Sequence, residues 1–320
     1  MELVSVIIPT FNTPYEYLIQ SINSIADQSY KNIEIIIIDD LSTEYNDFEF
    51  VKKQIKRCNI LFIKNVFEKG VYGALNTGIV NAKGTIIARM DADDIACSDR
   101  IEKQVDFLNK NPFCSVVSGY VKCFGSSRKT YKTPLSNTAI KASLLFHDTI
   151  VHPSVCFRKK IYDNLGLLYP NSLIEDYELW TNIACFKDEH FGTIGNVVLK
   201  YRIHKNQVTK TRKPQMDIQF IALKKRFFEK LGIVLCEKDL DDFCSLCLNN
   251  KVVNIDNIPN ILEKIYCSAY TSDIFEDKKE FTKIFWKFAR NKTINQIRLD
   301  GKKWVKILFH VLKVPKKRGV

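Results

Sequence analysis

The chain has 320 residues, 46% of them hydrophobic, which excludes an intrinsically disordered protein and allows a large buried core. Its net charge of +12 is concentrated in one place, because residues 283–320 hold 12 basic side chains and a single acid, Asp300. The basicity belongs to a tail rather than to the whole surface, and it suggests an anionic partner there.

Val4-Ser5-Val6-Ile7-Ile8 is an apolar run that stops at Pro9, as a buried strand does. Thr13-Pro14 offers an N-cap and a first-turn proline to a helix with Ile19, Ile22, Ile25 and Ala26 on its apolar face. Ile33 to Ile38 is nearly unbroken β-branched sequence, the pattern of a strand covered on both faces, and it ends at Asp39-Asp40. Strands are expected at 60–63 and 85–89, with a helix over 71–82 between them. Ser98 caps a helix running to about Asn109, and Cys114 to Cys123 reads as a strand. Glu175 to Phe186 reads as a helix and Val197 to Ile203 as a final strand, before the polar loop 205–213. Residues 215–320 carry helical periodicity. This rhythm predicts an α/β fold: a doubly wound, mostly parallel sheet over residues 1–210 with a helical C-terminal appendage over 215–320.

The ten cysteines lie mostly in apolar runs, and Cys244 and Cys247 read as two core thiols rather than half of a zinc site. Met1-Glu2-Leu3-Val4 has no basic leader, so a cytoplasmic location with reduced thiols is expected. No run of about 18–20 apolar residues is present. No G-x-G-x-x-G follows the first strand, which argues against a dinucleotide oxidoreductase.

Open α/β sheets bind ligands beyond the carboxyl ends of their strands, which here are Pro9 to Asn12, Asp39-Asp40 and Asp91 to Asp94. In Asp91-Ala92-Asp93 two carboxylates two residues apart point the same way along an extended chain. Such hard oxygens suit Mg²⁺ or Mn²⁺ and leave coordination positions for phosphates. Taken alone, the tripeptide fits a solvated acidic turn equally well.

Its company is more specific. Ser5-Val6-Ile7-Ile8-Pro9-Thr10-Phe11-Asn12, Ile37-Ile38-Asp39-Asp40-Leu41-Ser42, Lys69 to Gly78 and Asp91-Ala92-Asp93-Asp94 resemble, in order, the opening motifs of family 2 glycosyltransferases. Arg100 with Gln104, Glu175-Asp176-Tyr177-Glu178-Leu179-Trp180 and Tyr201-Arg202-Ile203-His204 are similar to that family's later segments. The resemblance covers about residues 1–210 and implies a GT-A fold, a nucleotide-sugar donor and inverting transfer. By position it implies that Asp40 contacts the nucleotide base with Pro9 and Phe11 beside the pocket, and that Asp91 lies near the ribose. It further implies Asp93 and His204 as ligands of Mn²⁺ or Mg²⁺, Lys69 and Arg202 as diphosphate contacts, and Asp176 as general base. Glu175 and Glu178 beside Asp176 would raise its pKa, while a helix N-terminus would lower it. His152-Pro153-Ser154 is a further candidate near an acceptor, although Pro153 also suits a plain turn.

The processive-synthase signature Gln-x-x-Arg-Trp is absent, which favours single-sugar transfer, with a UDP-sugar as expected donor and a lipid-linked or polysaccharide precursor as expected acceptor. In 302–318, Lys303, Lys306, His310 and Lys313 form a polar stripe opposite Trp304, Ile307, Leu308, Val311 and Leu312. That pattern suits either a helix lying on an anionic membrane surface, at the inner face of the cell membrane, or a core-docked helix with a solvated face. Nucleic acid is not an expected partner, because no recognition motif accompanies the stripe. The other functional class that fits is a catalytically inactive, GT-A-like nucleotide-binding scaffold at the membrane.

Overall fold

The computed structural model of the chain describes residues 1–43, 51, 55, 59–166, 169–204, 212–250, 252, 254–300 and 307. Two compact units emerge, one of residues 1–135, 150–179 and 189–211, the other of 136–149, 180–188 and 212–320. The single boundary expected at 205–213 is therefore one of several crossings between units, and residues 205–211 fall outside the described set.

The first unit is built on one nine-stranded sheet. Strands β1 (Val4–Thr10), β2 (Ile33–Asp39), β3 (Asn59–Lys64) and β4 (Ile86–Arg89) run parallel in the order β3-β2-β1-β4. The helices between them are α1 (Tyr15–Ala26) and α2 (Val71–Asn81). All of β1 is buried, as is β2 up to Ile38, which is why their sequences are Ile- and Val-rich rather than alternating. Pro9 falls after the last β1–β4 pair, Ile7 with Arg89, so its missing N–H interrupts no β1–β4 pairing.

The other half of the sheet is mixed. After β5 (Ile95–Ala96) and α3 (Arg100–Lys110) come β6 (Cys114–Gly125), β7 (Thr130–Tyr131), β8 (Cys156–Arg158) and β9 (His190–Ile203). β8 pairs antiparallel with both β4 and β6, β5 with β9, and β7 with β6, while β6 and β9 are parallel. The α/β class and the parallel first half follow the sequence reading, and the antiparallel strands dilute the expected parallel character. Strands of two or three residues carry no readable periodicity, which is why β5, β7 and β8 escape it. Between β4 and β1 the strand order reverses direction, the place where open α/β sheets form a ligand crevice at the strands' carboxyl ends.

The second unit is helical: α4 (Asn137–Leu144), α7 (Lys213–Lys230), α8 (Glu237–Leu248), α9 (Ile258–Thr271) and α10 (Lys278–Asp300). Two short helices of the chain precede this run: α5 (Lys160–Leu165) belongs to the first unit, and α6 (Glu175–Ala184) divides at Leu179. Aromatic rings fill its centre, with Phe146 5.1 Å from Phe285 and Tyr266 stacked 5.7 Å from Phe281. Residues 136–149 belong here because Phe146 joins that cluster and Lys224 Nζ donates to the Leu144 and Leu145 carbonyls, both at 2.8 Å. Burial pushes the Lys224 ammonium down to about 8. Every cysteine among the described residues is free, and Cys244 and Cys247 are buried, as expected of core thiols.

No helix among the described residues is long and apolar enough to cross a membrane. The expected membrane contact, 302–318, lies outside the described residues except for Ile307, which is buried.

Candidate active site

Three loops meet at the carboxyl edge of β1, β2 and β4. The first two are stitched together: Asn12 Nδ2 donates to Thr43 Oγ1 at 3.0 Å, and Thr43 N–H returns a bond to Asn12 Oδ1 at 2.9 Å. Both Asn12 (φ 47°) and Leu41 (φ 59°) adopt left-handed backbone to make these turns. Asp40 is 7% exposed and accepts bonds from Asn65 Nδ2 at 2.6 Å and Gly70 N–H at 3.0 Å. Gly70 has φ 141°, and a side chain on Gly73 would lie 1.9 Å from the Glu68 carbonyl oxygen, so the loop closes tightly over Asp40. Phe11 stands 46% exposed with Lys69 Nζ 4.3 Å above its ring, which places both at the mouth of the crevice. Pro9 is buried in β1 below them.

The third loop carries the acids. Asp91, Asp93 and Asp94 each present a carboxylate oxygen, all within 4.8 Å of one another. Asp94 is fully buried; one oxygen accepts Arg202 N–H at 2.8 Å and the other has no hydrogen-bond partner among the described residues. Burial first, then Asp91 and Asp93, push the Asp94 carboxyl well up; burial and Asp91 likewise raise Asp93, and His204 opposes that rise. His204 Nε2 lies 2.9 Å from Asp93 Oδ2. Three crowded carboxylates, an unsatisfied buried oxygen and an imidazole form a donor set that fits a hard divalent cation.

Asp176 opens α6 (Glu175–Ala184). Its Oδ1 accepts Tyr177 N–H at 2.7 Å, and the side chain keeps 29% exposure. Burial raises its carboxyl, against the Tyr177 N–H and Arg89. Glu175 is raised to about 8, chiefly by burial and then by Asp176. Glu178 lies in the same first turn. His152 is buried, with Nδ1 3.8 Å from Glu175 and 3.9 Å from Asp176 and Nε2 2.8 Å from the Tyr169 hydroxyl. Burial and Arg89 hold its pKa well down.

Residues 5–166, half of the chain, match the family model described as "Glycosyl transferase family 2". The chain belongs to glycosyltransferase family 2. An uncharacterized glycosyltransferase of Haemophilus influenzae is 30% identical over 292 residues, 84% of this chain and 86% of its own length. The Escherichia coli protein WfaP, a UDP-Glc:alpha-D-GlcNAc-diphosphoundecaprenol beta-1,3-glucosyltransferase, is 32% identical over 70% of this chain and 86% of its own. Among solved structures, Staphylococcus aureus TarS with UDP-GlcNAc superposes with a TM-score of 0.60 at 14% identity, covering 94% of this chain and 92% of that one. The Pyrobaculum calidifontis mannosyltransferase PcManGT with GDP-Man and Mn²⁺ gives 0.54 at 15% identity, covering 92% and 87%. The fold is thus of GT-A type, and the protein is a glycosyltransferase.

In this glycosyltransferase several residues of the sequence expectation also hold the site together. The Arg202 guanidinium braces the acidic loop: Nε donates to the Asp93 carbonyl at 2.7 Å and Nη2 to Gln20 at 2.8 Å. It is also sandwiched between Tyr17 and Phe124, at 3.9 and 4.5 Å. The Asp40 carboxylate holds the Gly70 loop through the bonds from Asn65 Nδ2 and Gly70 N–H. Arg100 and Gln104 of the transferase form an internal strut: Arg100 Nη2 donates to the Arg89 carbonyl at 2.7 Å, and Gln104 Nε2 donates to the Ser154 carbonyl at 2.8 Å. The strut fixes the end of β4 and the His152–Ser154 turn relative to each other.

Sequence reasoning missed Arg89 and Tyr169. Arg89 had a signal, a charge closing an apolar strand two residues before the acids, whereas Tyr169 is placed by Asn76, which bonds both its N–H and its carbonyl at 2.9 Å.

Proposed function

We propose that this glycosyltransferase moves a single sugar from a nucleotide diphosphate, with UDP as the nucleotide, to a hydroxyl of a lipid-linked or polysaccharide precursor, with inversion at the anomeric carbon. The observation that carries the reading is the pairing, at one sheet edge, of the Asp91-Asp93-Asp94 cluster with a separate carboxylate, Asp176, at a helix start. WfaP and WfgD, both named for UDP-Glc and diphosphoundecaprenol-linked acceptors, support the donor and acceptor classes. Residues 1–210 supply the transferase site and 215–320 the helical appendage in this reading.

Asp91, Asp93 and Asp94, with His204, are the residues that would hold Mn²⁺ or Mg²⁺. A cation bound there neutralises charge on a departing nucleotide diphosphate. The crevice past β1 and β2, with Phe11, Lys69 and the Asp40 loop, receives the base and ribose. Asp176 takes the proton of the acceptor hydroxyl as that oxygen bonds the anomeric carbon; the bond from that carbon to the diphosphate oxygen breaks, and its electron pair leaves with the nucleotide. An inactive scaffold would have no need of Asp176 and the three acids together.

Two variants test the reading. Asp176→Asn is expected to lose roughly 10²–10⁴-fold in kcat, while donor binding, measured by calorimetry, stays near wild type. Asp93→Ala is expected to abolish Mn²⁺-stimulated transfer and the thermal stabilisation by Mn²⁺ plus UDP-sugar. Wild-type activity in either variant removes that residue from its role.

A further inference from the structure

Three buried polar side chains run in line through the first unit toward the acids of α6. Asn76 on α2 is 5% exposed and clamps the Tyr169 backbone from both sides, its Nδ2 donating to the carbonyl and its Oδ1 accepting the N–H, each at 2.9 Å. The Tyr169 hydroxyl lies 2.8 Å from His152 Nε2, and the two rings are 5.2 Å apart. His152 is itself 5% exposed, and its other ring nitrogen, Nδ1, lies 3.8 Å from Glu175 Oε1 and 3.9 Å from Asp176 Oδ2. Gln104 fixes the far end of the His152–Ser154 turn through the Ser154 carbonyl. Burying such a chain desolvates each of its polar atoms, and packing alone is served better by apolar side chains.

The chain sets the state of the imidazole. A lone pair on Nδ1 would face two acidic groups, so Nδ1 carries the hydrogen. In the neutral ring Nε2 is then the acceptor, and the Tyr169 hydroxyl donates to it. Burial keeps both groups in these forms. It holds the His152 ring neutral, with Arg89 adding to the effect, and it raises the Tyr169 hydroxyl so that the phenol keeps its proton. Asp176 Oδ1 is taken by the Tyr177 N–H at 2.7 Å, so Oδ2, the oxygen that His152 faces, is the one left to receive a proton from an acceptor. At 3.9 Å the imidazole N–H attracts that oxygen without bonding it, which orients the carboxylate and leaves its lone pairs open.

We propose that His152 is a positioning residue for sugar transfer: anchored through Tyr169 to Asn76, its Nδ1–H aims Asp176 Oδ2 at the acceptor hydroxyl. The proposal rests on the reading of Asp176 as base. The acceptor proton still passes to Oδ2, and His152 neither gives nor takes one. A histidine that only filled space would tolerate any side chain of similar size. One that works through Nδ1 tolerates only a donor placed where Nδ1 stands.

Asparagine carries its amide nitrogen where histidine carries Nδ1, whereas glutamine reaches the place of Nε2. The test compares His152→Asn, His152→Gln, Tyr169→Phe and the double variant His152→Asn with Tyr169→Phe in the full chain, by kcat, donor KM and thermal melting. His152→Gln is expected to lose about 10²-fold in kcat at nearly constant donor KM, and His152→Asn less than about tenfold. Tyr169→Phe frees the tautomer and is expected to cost about tenfold beside His152, but less than about twofold beside Asn, because an amide has no tautomer to set. Equal losses in His152→Asn and His152→Gln, or the same Tyr169→Phe loss in both backgrounds, overturn the proposal. So does a His152→Asn protein that melts below the assay temperature, since the ring is then needed for packing. Should His152→Gln unfold, the two Tyr169→Phe backgrounds decide; should Tyr169→Phe unfold, Asn against Gln decides. If Asp176→Asn keeps wild-type kcat, the functional reading fails and takes the proposal with it. If Asp176→Asn is inactive and the His152 pattern is wrong, the proposal alone fails.

Discussion

At the scale of single residues, the site is a set of carboxylates kept close at a cost. Glu175 shows it most clearly, because its folded pKa of about 8 lies far above that of an ordinary glutamate. The native state then binds a proton that the unfolded chain has released, so Glu175 supports folding below its unfolded pKa and loses that support as pH rises toward 8. Chemical unfolding in the absence of metal is expected to show stability falling between about pH 5 and pH 8, with a shallower fall in Glu175→Gln. An unchanged slope in that variant would place the proton elsewhere. How far such residues were legible differs from one to the next. Asp91 and Asp93 were readable as a pair, because two acids closing an apolar run sit at a strand's carboxyl end. His204 and Asp176 were readable only through the family's motif order; nothing in their local sequence brings them to the acids. The clamp of Tyr17 and Phe124 on Arg202 was not legible, since it brings together two segments over a hundred residues apart.

Among the elements, the first two strands were legible because long buried β-branched runs have few other uses. The short strands, and the membership of 136–149 in the helical unit, were not, because both depend on partners distant in sequence. Two struts at this scale make predictions. Gln104→Ala removes the acceptor of Arg100 Nε and the donor to the Ser154 carbonyl, both buried, and is expected to cost about 2–4 kcal/mol in denaturant unfolding. Gly73→Ala forces a methyl group against the Glu68 carbonyl and is expected to destabilise by roughly 1–3 kcal/mol while weakening UDP binding, since the same loop closes over Asp40. A Gly73→Ala protein with native stability would mean that the loop is looser than it looks.

For the whole molecule, charge is the dominant feature. The last 38 residues hold a net charge of +11 within a total of +12. If the stripe Lys303, Lys306 and Lys313 meets an anionic bilayer, each lysine contributes about 1 kcal/mol. The full chain is then expected to sediment with vesicles containing anionic lipid, to be released by high salt, and to bind roughly 10²-fold more weakly once all three lysines become glutamine. Equal sedimentation with neutral vesicles would refute an electrostatic attachment.

The acidic loop after β4 hangs on the last strand of the sheet: Arg202 holds both the Asp93 carbonyl and the Asp94 carboxylate through bonds spanning 109 and 108 residues, and β5 pairs with β9. During synthesis the amino-terminal half can fold its parallel strands soon after they leave the ribosome. Ser21 and Arg89 can hold Asp91 at that stage, but the bonds to Asp93 and Asp94 wait for Arg202, so the acidic loop is completed only after β9 has emerged. Activity in this transferase is therefore a property acquired late in translation, and a ribosome stalled short of β9 would display a folded, inert sheet.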